Sequence, residues 1–509
     1  MAQAQPSFAS DAYAAGLALS SQGRHADAIG RFEQALRDKP DDTRVLFALG
    51  NTARALGQAA SAENFYRMVL AAEPDRLEAV VNLANLLSAG GRTDDAIALL
   101  SRSIESGPEF PELWLTLGSA WRAGGDGERA AIFFREALRL RPDYPPALGN
   151  LADLLADDGD VEEALVLYRQ VLKQQPHNAQ ARLNRAILYL ISGDLQRGWR
   201  DYAYRLNVQG SALNYAHGLK RWTGKKWREG MRLLVTAEQG LGDQIAFASI
   251  MPDLARMAAA SNGQVILEAE PRLVPLFARS FPDVSVHPSH IEAREGAKTA
   301  HYEWLKAGGA DEAIELGSLP SILRRSLPDF PKPHAYLKPE PNEQAKWRAW
   351  FAAQGPGPFI GLCWRSGNTS GLRAQQYAPR ELWADFASAA PGTLVTLQYD
   401  ATPDEITVLE RLSGRKILVP PSLDQKQEID YTAAMISCLD AVVSAPTAVS
   451  WISAGLGVAT FKILYKISWM SFGTDYEPFA PSCRSIMPKR RGDWADCFAQ
   501  ALAALNPPR

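Results

Sequence analysis

The stretch TAEQGLGDQIAF, Thr236 to Phe247, brings glycines at 240 and 242 together with a carboxylate, Asp243. It lies between an apolar, strand-like run, Arg232 to Ala237, and a helix-like run, Gln244 to Met257. A glycine-rich turn at such a junction is where α/β proteins often hold phosphate on backbone N–H groups. A full dinucleotide loop reads G-x-G-x-x-G, and here Ile245 takes the place of the third glycine. Asp243 falls at or near the first helical turn, where the helix end favours its charged form and its charge opposes a phosphate. The loop reads as a mount for a carboxylate, with glycines that let the chain turn sharply. A plain helix N-cap is the alternative role for Asp243.

Three more strand ends carry chemistry. CWRSGNTSGLR supplies Arg365, Ser366, Gly367 and Arg373: two cations, a hydroxyl and open backbone, suited to a diphosphate or another anionic leaving group. A solvated loop with arginines paired to surface carboxylates is the alternative. In SAPTAVSWISAGLG, Pro446 makes the turn and Thr447 can cap the next helix. The N–H groups of Thr447, Ala448 and Val449 would then face a ligand, with no acid in the first turn to repel an anion. An ordinary capped helix packed by Trp451 and Leu456 would look the same. In TLQYD, Tyr399 could stack on a base and Gln398 bond its edge, although a core tyrosine is the commoner outcome. Lys462 and Lys466 read as solvated. His287, His290 and His301 have no metal-ligand spacing, and no zinc, calcium or EF-hand pattern appears.

The elements that position these residues follow from patterning. After Arg205 and a basic, aromatic connector, short apolar runs alternate with helix-like segments: RLLVTA, QVILEA, VSVHP, FIGLCW, TLVTLQY, KILVP, DAVVSA and VATFKIL. Such alternation predicts parallel sheets with crossover helices. The proline-rich break Asp329 to Glu343 divides two lobes, 215–340 and 341–509, with ligands expected at the carboxyl ends of their strands.

The first two hundred residues are periodic instead. Pro40, Pro74, Pro108, Pro142 and Pro176 are each 34 residues apart, and so are Ala28, Ala62, Ala96, Ala130 and Ala164. Phe32, Tyr66, Phe134 and Tyr168 hold a large aromatic position, with Leu100 in the third unit; Gly16, Gly50 and Gly118 hold a small one, with Ala84 and Ala152 in the others. The pattern matches the tetratricopeptide repeat: helical hairpins in which small residues admit a close neighbour, the aromatic fills the gap, and proline ends the second helix. A sixth, degenerate unit with Gly198 and Tyr202 completes a predicted α-solenoid over 9–212, and is expected to dock it onto the α/β lobes. Stacked repeats form a concave groove. Asn82, Asn150 and Asn184 recur there, placed either to hold an extended peptide by their amides or to cap local backbone.

Composition bounds the rest. Lys+Arg number 54 against 57 Asp+Glu, net −3, without the basic balance of a nucleic-acid protein. Cys363, Cys438, Cys483 and Cys497 are far apart and indicate neither a disulfide framework nor a zinc site; a reduced, cytoplasmic chain is expected. No signal peptide is evident. Ala441 to Phe461 is uncharged and long enough to span a bilayer, but Pro446, three serines, two threonines and two glycines make it strand, turn, helix and strand instead.

Together EQGLGDQIAFASIMPDL, IGLCWRSG, VTLQYD and LDAVVSAPTAVSWISAGLG resemble a bacterial family: tetratricopeptide repeats fused to a GT-B glycosyltransferase of heptosyltransferase-like type, with two Rossmann-like lobes. The tail SFGTDYEPFAPSCRSIMP is similar to the branch linked to flagellin modification. The resemblance implies that the repeats recruit flagellin, or another protein acceptor. It implies that a nonulosonic acid such as pseudaminic acid moves from its nucleotide-activated form, CMP favoured, to Ser/Thr with inversion. No metal or other cofactor is implied. Asp243 is then the general base, Gly240 and Gly242 form the acceptor-side loop, and Thr447, Ala448, Val449 and Ser450 hold the donor phosphate. Pro446 and Trp451 stand where heptosyltransferases often have aspartate and histidine, a departure that points away from ADP-heptose. A non-catalytic adaptor with a decayed transferase domain, and a transferase acting on a surface glycan, are the competing expectations.

Overall fold

The computed structural model describes residues 8–107, 109–208, 213–294, 297–305, 309–332, 335–367, 376–489 and 492–506. It divides into two compact units, one ending at His177 and one starting at Asn178.

The first unit is five helical hairpins: Phe8–Ser21 with His25–Asp38, Thr43–Ala55 with Ala59–Ala72, Leu77–Ala89 with Thr93–Ser106, Pro111–Ala123 with Gly127–Leu140, and Pro145–Asp158 with Val161–Gln174. The periodic alanines 28, 62, 96, 130 and 164 are all fully buried, as are Phe32, Tyr66, Leu100 and Phe134. The reason for the small position is direct. A Cβ built on Gly16, Gly50 or Gly118 would stand 2.5, 2.6 and 2.6 Å from a ring carbon of Phe32, Tyr66 and Phe134. Pro40, Pro74, Pro142 and Pro176 each follow the second helix of a pair by two residues; Pro108 lies outside the described residues. Each hairpin turns on a left-handed glycine, Gly23, Gly57, Gly91, Gly125 and Gly159, at φ between 74° and 94°.

The sixth hairpin, Ala179–Ile191 with Leu195–Tyr202, falls in the second unit, whereas the sequence reading placed it at the end of a solenoid over 9–212. Asp201 braces the hairpin internally, and Trp199 ties it to the α/β part. Fully buried Asp201 accepts from Arg182 at 3.1 Å and Arg185 at 2.7 Å. Trp199 donates its indole N–H to the Arg324 carbonyl at 2.7 Å and meets Trp469 and Phe472 edge-on.

Among the described residues, eight strands precede residue 316: β1 (Leu213–Tyr215), β2 (Lys220–Arg221), β3 (Arg232–Thr236), β4 (Gln264–Ala269), β5 (Val284–Pro288), β6 (Ile291–Arg294), β7 (Ala297–Ala300) and β8 (Glu312–Glu315). Six come after it: β9 (Phe359–Cys363), β10 (Thr393–Thr396), β11 (Ile417–Leu418), β12 (Ala441–Ser444), β13 (Ala459–Ile463) and β14 (Cys483–Ile486). They form a parallel five-stranded sheet, β2-β8-β3-β4-β5, a parallel six-stranded sheet, β11-β10-β9-β12-β13-β14, and a small mixed sheet, β1-β7-β6. All eight apolar runs read as strands lie in the two large sheets. The other strands of those sheets, β2 (KR), β8 (EAIE) and β14 (CRSI), mix in charged or polar residues and carry no such run. Ala441 to Phe461 is divided among β12, the helix Ala448–Gly455 and β13. Among the described residues no helix is long and apolar enough to cross a membrane.

Candidate functional site

Strand order fixes where ligands can enter. In the six-stranded sheet the chain winds one way from β9 to β11 and the other way from β12 to β14, so a crevice opens between the carboxyl ends of β9 and β12. In the five-stranded sheet the corresponding point lies between β3 and β8. The first crevice is bordered by the Trp364–Ser366 and Ala445–Thr447 turns, the second by the loop carrying Asp243. A cleft of about 670 Å³ joins the two sets: Gly240, Gly242 and Asp243 from one, and Ser366, Tyr399, Thr447, Ala448 and Val449 from the other.

Asp243 is the third residue of the helix Leu241–Ala248, not its N-cap; Gly240 holds that position. The Asp243 carboxylate reaches back to accept from Gly240 N–H at 3.2 Å. The side chain opens onto the cleft, but the packed walls leave it little water. Burial pushes its pKa up to about 6; the Gly240 N–H opposes that shift, the Glu238 charge adds to it, and Lys462 draws it back. A carboxylate poised there is ionised at neutral pH and basic enough to take a proton from a hydroxyl.

The glycines act differently from the sequence expectation. The left-handed turn falls on Gln239, at φ 63°, whose amide donates to the Tyr202 hydroxyl at 2.7 Å. Gly242 is needed for close approach: a Cβ there would stand 3.1 Å from Trp451 and 3.8 Å from Ala448 Cα. It therefore admits the helix Ala448–Gly455 at close range.

That helix begins at Thr447, whose side chain does not cap it. Its hydroxyl lies 3.5 Å from Cys363 Sγ and 3.3 Å from Ser444 Oγ. The first-turn N–H groups are thus left to the cleft, where Thr447, Ala448 and Val449 line the wall. Ser450 is a correction: its buried hydroxyl donates to the Thr447 carbonyl at 2.8 Å and faces away.

Arg365 and Gln398 are corrected as well. The Arg365 guanidinium pairs with Asp400 and Glu405, each at 2.8 Å, so two carboxylates outweigh its charge and it does not line the cleft. The Gln398 amide accepts from Trp364 N–H at 3.0 Å and Arg365 N–H at 2.9 Å, and donates to the Arg365 carbonyl at 2.9 Å and Asp400 at 2.7 Å. It braces the turn and cannot read a base. Tyr399 stays on the cleft wall, its hydroxyl accepting from Gly367 N–H at 2.5 Å. Ser366 does too, accepting from the Tyr377 hydroxyl at 2.8 Å. Arg373 lies outside the described residues.

Sequence pattern misses or misreads the cleft's cations. Arg272 and Lys426 line it, and so do Lys462 and Lys466. Lys462, expected to be solvated, is buried and pairs with Glu477 at 2.6 Å. A lysine inside the apolar run VATFKIL is the available signal, since a buried ammonium needs a partner. Among the described residues no group of three His, Cys, Asp or Glu side chains is placed to hold a metal ion.

The periodic asparagines divide between the units. Asn82 donates to Asn51 at 2.9 Å, and Asn150 to Ser119 at 3.4 Å, each 31 residues back. These bonds tie neighbouring repeats, so both amides are already engaged. Asn184 lies in the second unit and accepts from Gln180 at 2.7 Å.

A second polar cluster lies in the five-stranded sheet's own wall. Glu268, fully buried near the end of β4, accepts from Ala237 N–H at 2.9 Å and Tyr302 O–H at 3.0 Å. Burial nevertheless pushes its pKa up to about 7, against those two bonds. A carboxyl raised from 4.5 loses native stability as pH rises from about 4.5 to 7. Glu268→Gln is accordingly expected to raise stability at pH 8 by about 1–3 kcal/mol and to change it little at pH 4.5, measured by urea unfolding.

Comparison with known proteins bears on the repeats. The tetratricopeptide-repeat family matches residues 13–76, 81–145 and 155–197. The chain carries tetratricopeptide repeats. It is similar to Protein FlbA of Caulobacter vibrioides (strain ATCC 19089 / CIP 103742 / CB 15), 33% identical over 314 residues, 61% of this chain and 52% of that protein. The match spans about half the length of that relative. Among solved structures, TTC0263, a thermophilic tetratricopeptide protein of Thermus thermophilus, is 26% identical, with a TM-score of 0.32, over 36% of this chain and 99% of that one. The pilF protein of Pseudomonas aeruginosa is 21% identical, TM-score 0.34, over 39% and 89%. Tetratricopeptide arrays are protein-binding scaffolds, and the first unit is read as one.

Proposed function

We propose that the chain is an inverting glycosyltransferase of GT-B type that modifies a protein recruited by its tetratricopeptide repeats. The observation that carries the reading is Asp243, a carboxylate with its pKa near 6, facing across one cleft a helix start that has no side-chain cap. The acceptor serine or threonine hydroxyl loses its proton to Asp243 as its oxygen attacks the anomeric carbon. The bond from that carbon to the donor phosphate breaks on the opposite face. The departing nucleotide takes the electron pair, and its negative charge is stabilised by the Ala448 and Val449 N–H groups. The resemblance of the second unit's motifs to the flagellin-modifying branch supplies the finer reading: the acceptor is flagellin and the sugar a nonulosonic acid such as pseudaminic acid, carried by CMP.

The test incubates the full chain with purified unmodified flagellin and CMP-pseudaminic acid, followed by intact-mass analysis. Mass increments of one sugar residue are expected. No increment with this donor removes the specific sugar. No increment with any CMP-, UDP- or GDP-sugar removes the transferase reading and leaves the adaptor.

A further inference from the structure

The sequence points to Arg365 as the cation for the donor's anionic group, yet Asp400 and Glu405 outweigh its charge and it stands outside the cleft. The strand register supplies another. Ser444 of β12, Lys462 of β13 and Ser485 of β14 lie side by side, so Lys462 leaves its strand one position over from the turn that leads into Thr447. Its ammonium is held between two groups: Nζ donates to Glu477 at 2.6 Å and stands 4.1 Å from the Trp451 ring centre. Trp451, Thr447 and Lys462 all line the cleft that Asp243 enters.

The pair is not a neutral bracket that packing demands. Burying an ammonium and a carboxylate costs more than an apolar pair of the same volume would. Glu477 is fully buried and uses only one oxygen well: Oε1 accepts from Lys462 and from Ser485 Oγ at 3.0 Å, while Oε2 has no partner among the described residues. A costly, half-satisfied pair at the wall of a ligand cleft fits a cation held ready for an anion. Lys462 has one carboxylate partner where Arg365 has two, so an incoming anion meets an ammonium that is not outweighed.

We propose that Lys462 is the cleft's anion-binding cation: it receives the nucleotide phosphate of the donor beside the Thr447 helix start, with Glu477 and Trp451 fixing its position. This rests on the transferase reading above. The cations facing the same space are Arg272, Lys426 and Lys466; Asp243 is the carboxylate on the opposite wall.

The two members of the pair give opposite signs. Isothermal titration of the full chain with CMP, UDP and GDP is the measurement, with thermal melting of each variant recorded beside it. Lys462→Gln is expected to weaken the nucleotide that wild type binds by about 10- to 100-fold, the scale of a charge-assisted hydrogen bond. Lys462→Arg should recover most of that loss. Glu477→Gln, which keeps the shape and removes the competing charge, is expected to tighten binding by about threefold or more, even if it lowers the melting temperature. A purely structural pair would lower the melting temperature in both variants and never tighten binding. Unchanged affinity in Lys462→Gln, or unchanged or weaker affinity in Glu477→Gln, overturns the assignment while the transferase reading stands. Wild-type chain that binds none of the three nucleotides overturns both.

Discussion

Asp243→Asn is expected to lower sugar transfer by about 10²- to 10⁴-fold, the range of a positioned general base, while nucleotide affinity stays within about twofold of wild type. The substitution is gentle to the fold. The asparagine oxygen can still accept from Gly240 N–H, the bond that ties the third helical residue back to the helix start. What it removes is the proposed proton acceptor. In the wild-type chain the acid limb of the transfer rate should fall below about pH 6, where the Asp243 carboxyl takes up its proton. The same shift predicts the reverse effect on stability. A carboxyl raised from 3.8 to about 6 costs native stability that grows as pH rises through that window and is complete above it. Asp243→Asn should therefore melt higher than wild type at pH 8 and alike at pH 3.5. Transfer at near wild-type rate in this variant would falsify the assignment of the base; loss of nucleotide binding would place Asp243 on the donor instead.

Arg205→Met is the second large effect, expected to destabilise the second unit by about 3–5 kcal/mol in urea unfolding. Arg205 and Glu238 are both buried, and the Arg205 Nε–H donates to Glu238 Oε2 at 3.1 Å. Arg205 also reaches Ser318 Oγ at 2.9 Å and the Tyr202 carbonyl at 3.3 Å, while Glu238 accepts from Gly317 N–H at 2.7 Å. The pair thus bolts the sixth hairpin to the switch point between β3 and β8. Even glycine is required there, since a Cβ on Gly317 would stand 2.5 Å from the Glu238 carboxylate. Removing the arginine leaves a buried carboxylate with its main countercharge gone. The double variant Arg205→Met, Glu238→Leu should recover much of the loss, because two apolar groups replace two charges. Glu238 already raises the Asp243 pKa through its charge. Equal stability of single and double variants would show that packing, not charge, dominates at this junction.

Much of the architecture is legible in the sequence because its causes are local. A 34-residue period needs only small, aromatic and proline positions in phase, and the buried alanines and the glycines that abut Phe32, Tyr66 and Phe134 follow directly. The structure adds a further in-phase series: Gly23, Gly57, Gly91, Gly125 and Gly159, continued by Gly193 in the second unit, all with positive φ. Strands carried by apolar runs are visible in the sequence; β8 and β14 are not, because their pairing in the sheets holds them and no apolar run marks them. Asp243 and Thr447 stand out because strand-end turns bear their own glycine, proline and threonine signals.

What only the tertiary structure decided is which charges are available. Arg365 and Lys462 look alike as cations at strand ends, and sequence pattern favours the arginine over the lysine. Asp400 and Glu405, 35 and 40 residues beyond Arg365, close on it and outweigh its charge. Glu477, 15 residues beyond Lys462, gives the lysine a single partner at the wall of the cleft. The sixth hairpin's place was decided in the same way, by Trp199 reaching the Arg324 carbonyl and the Trp469 and Phe472 rings. Local pattern determines where a side chain can stand, because helices, strands and turns are set by near neighbours. Whether its charge remains free depends on desolvation and on partners brought in from distant segments, and those are fixed only when the chain has folded.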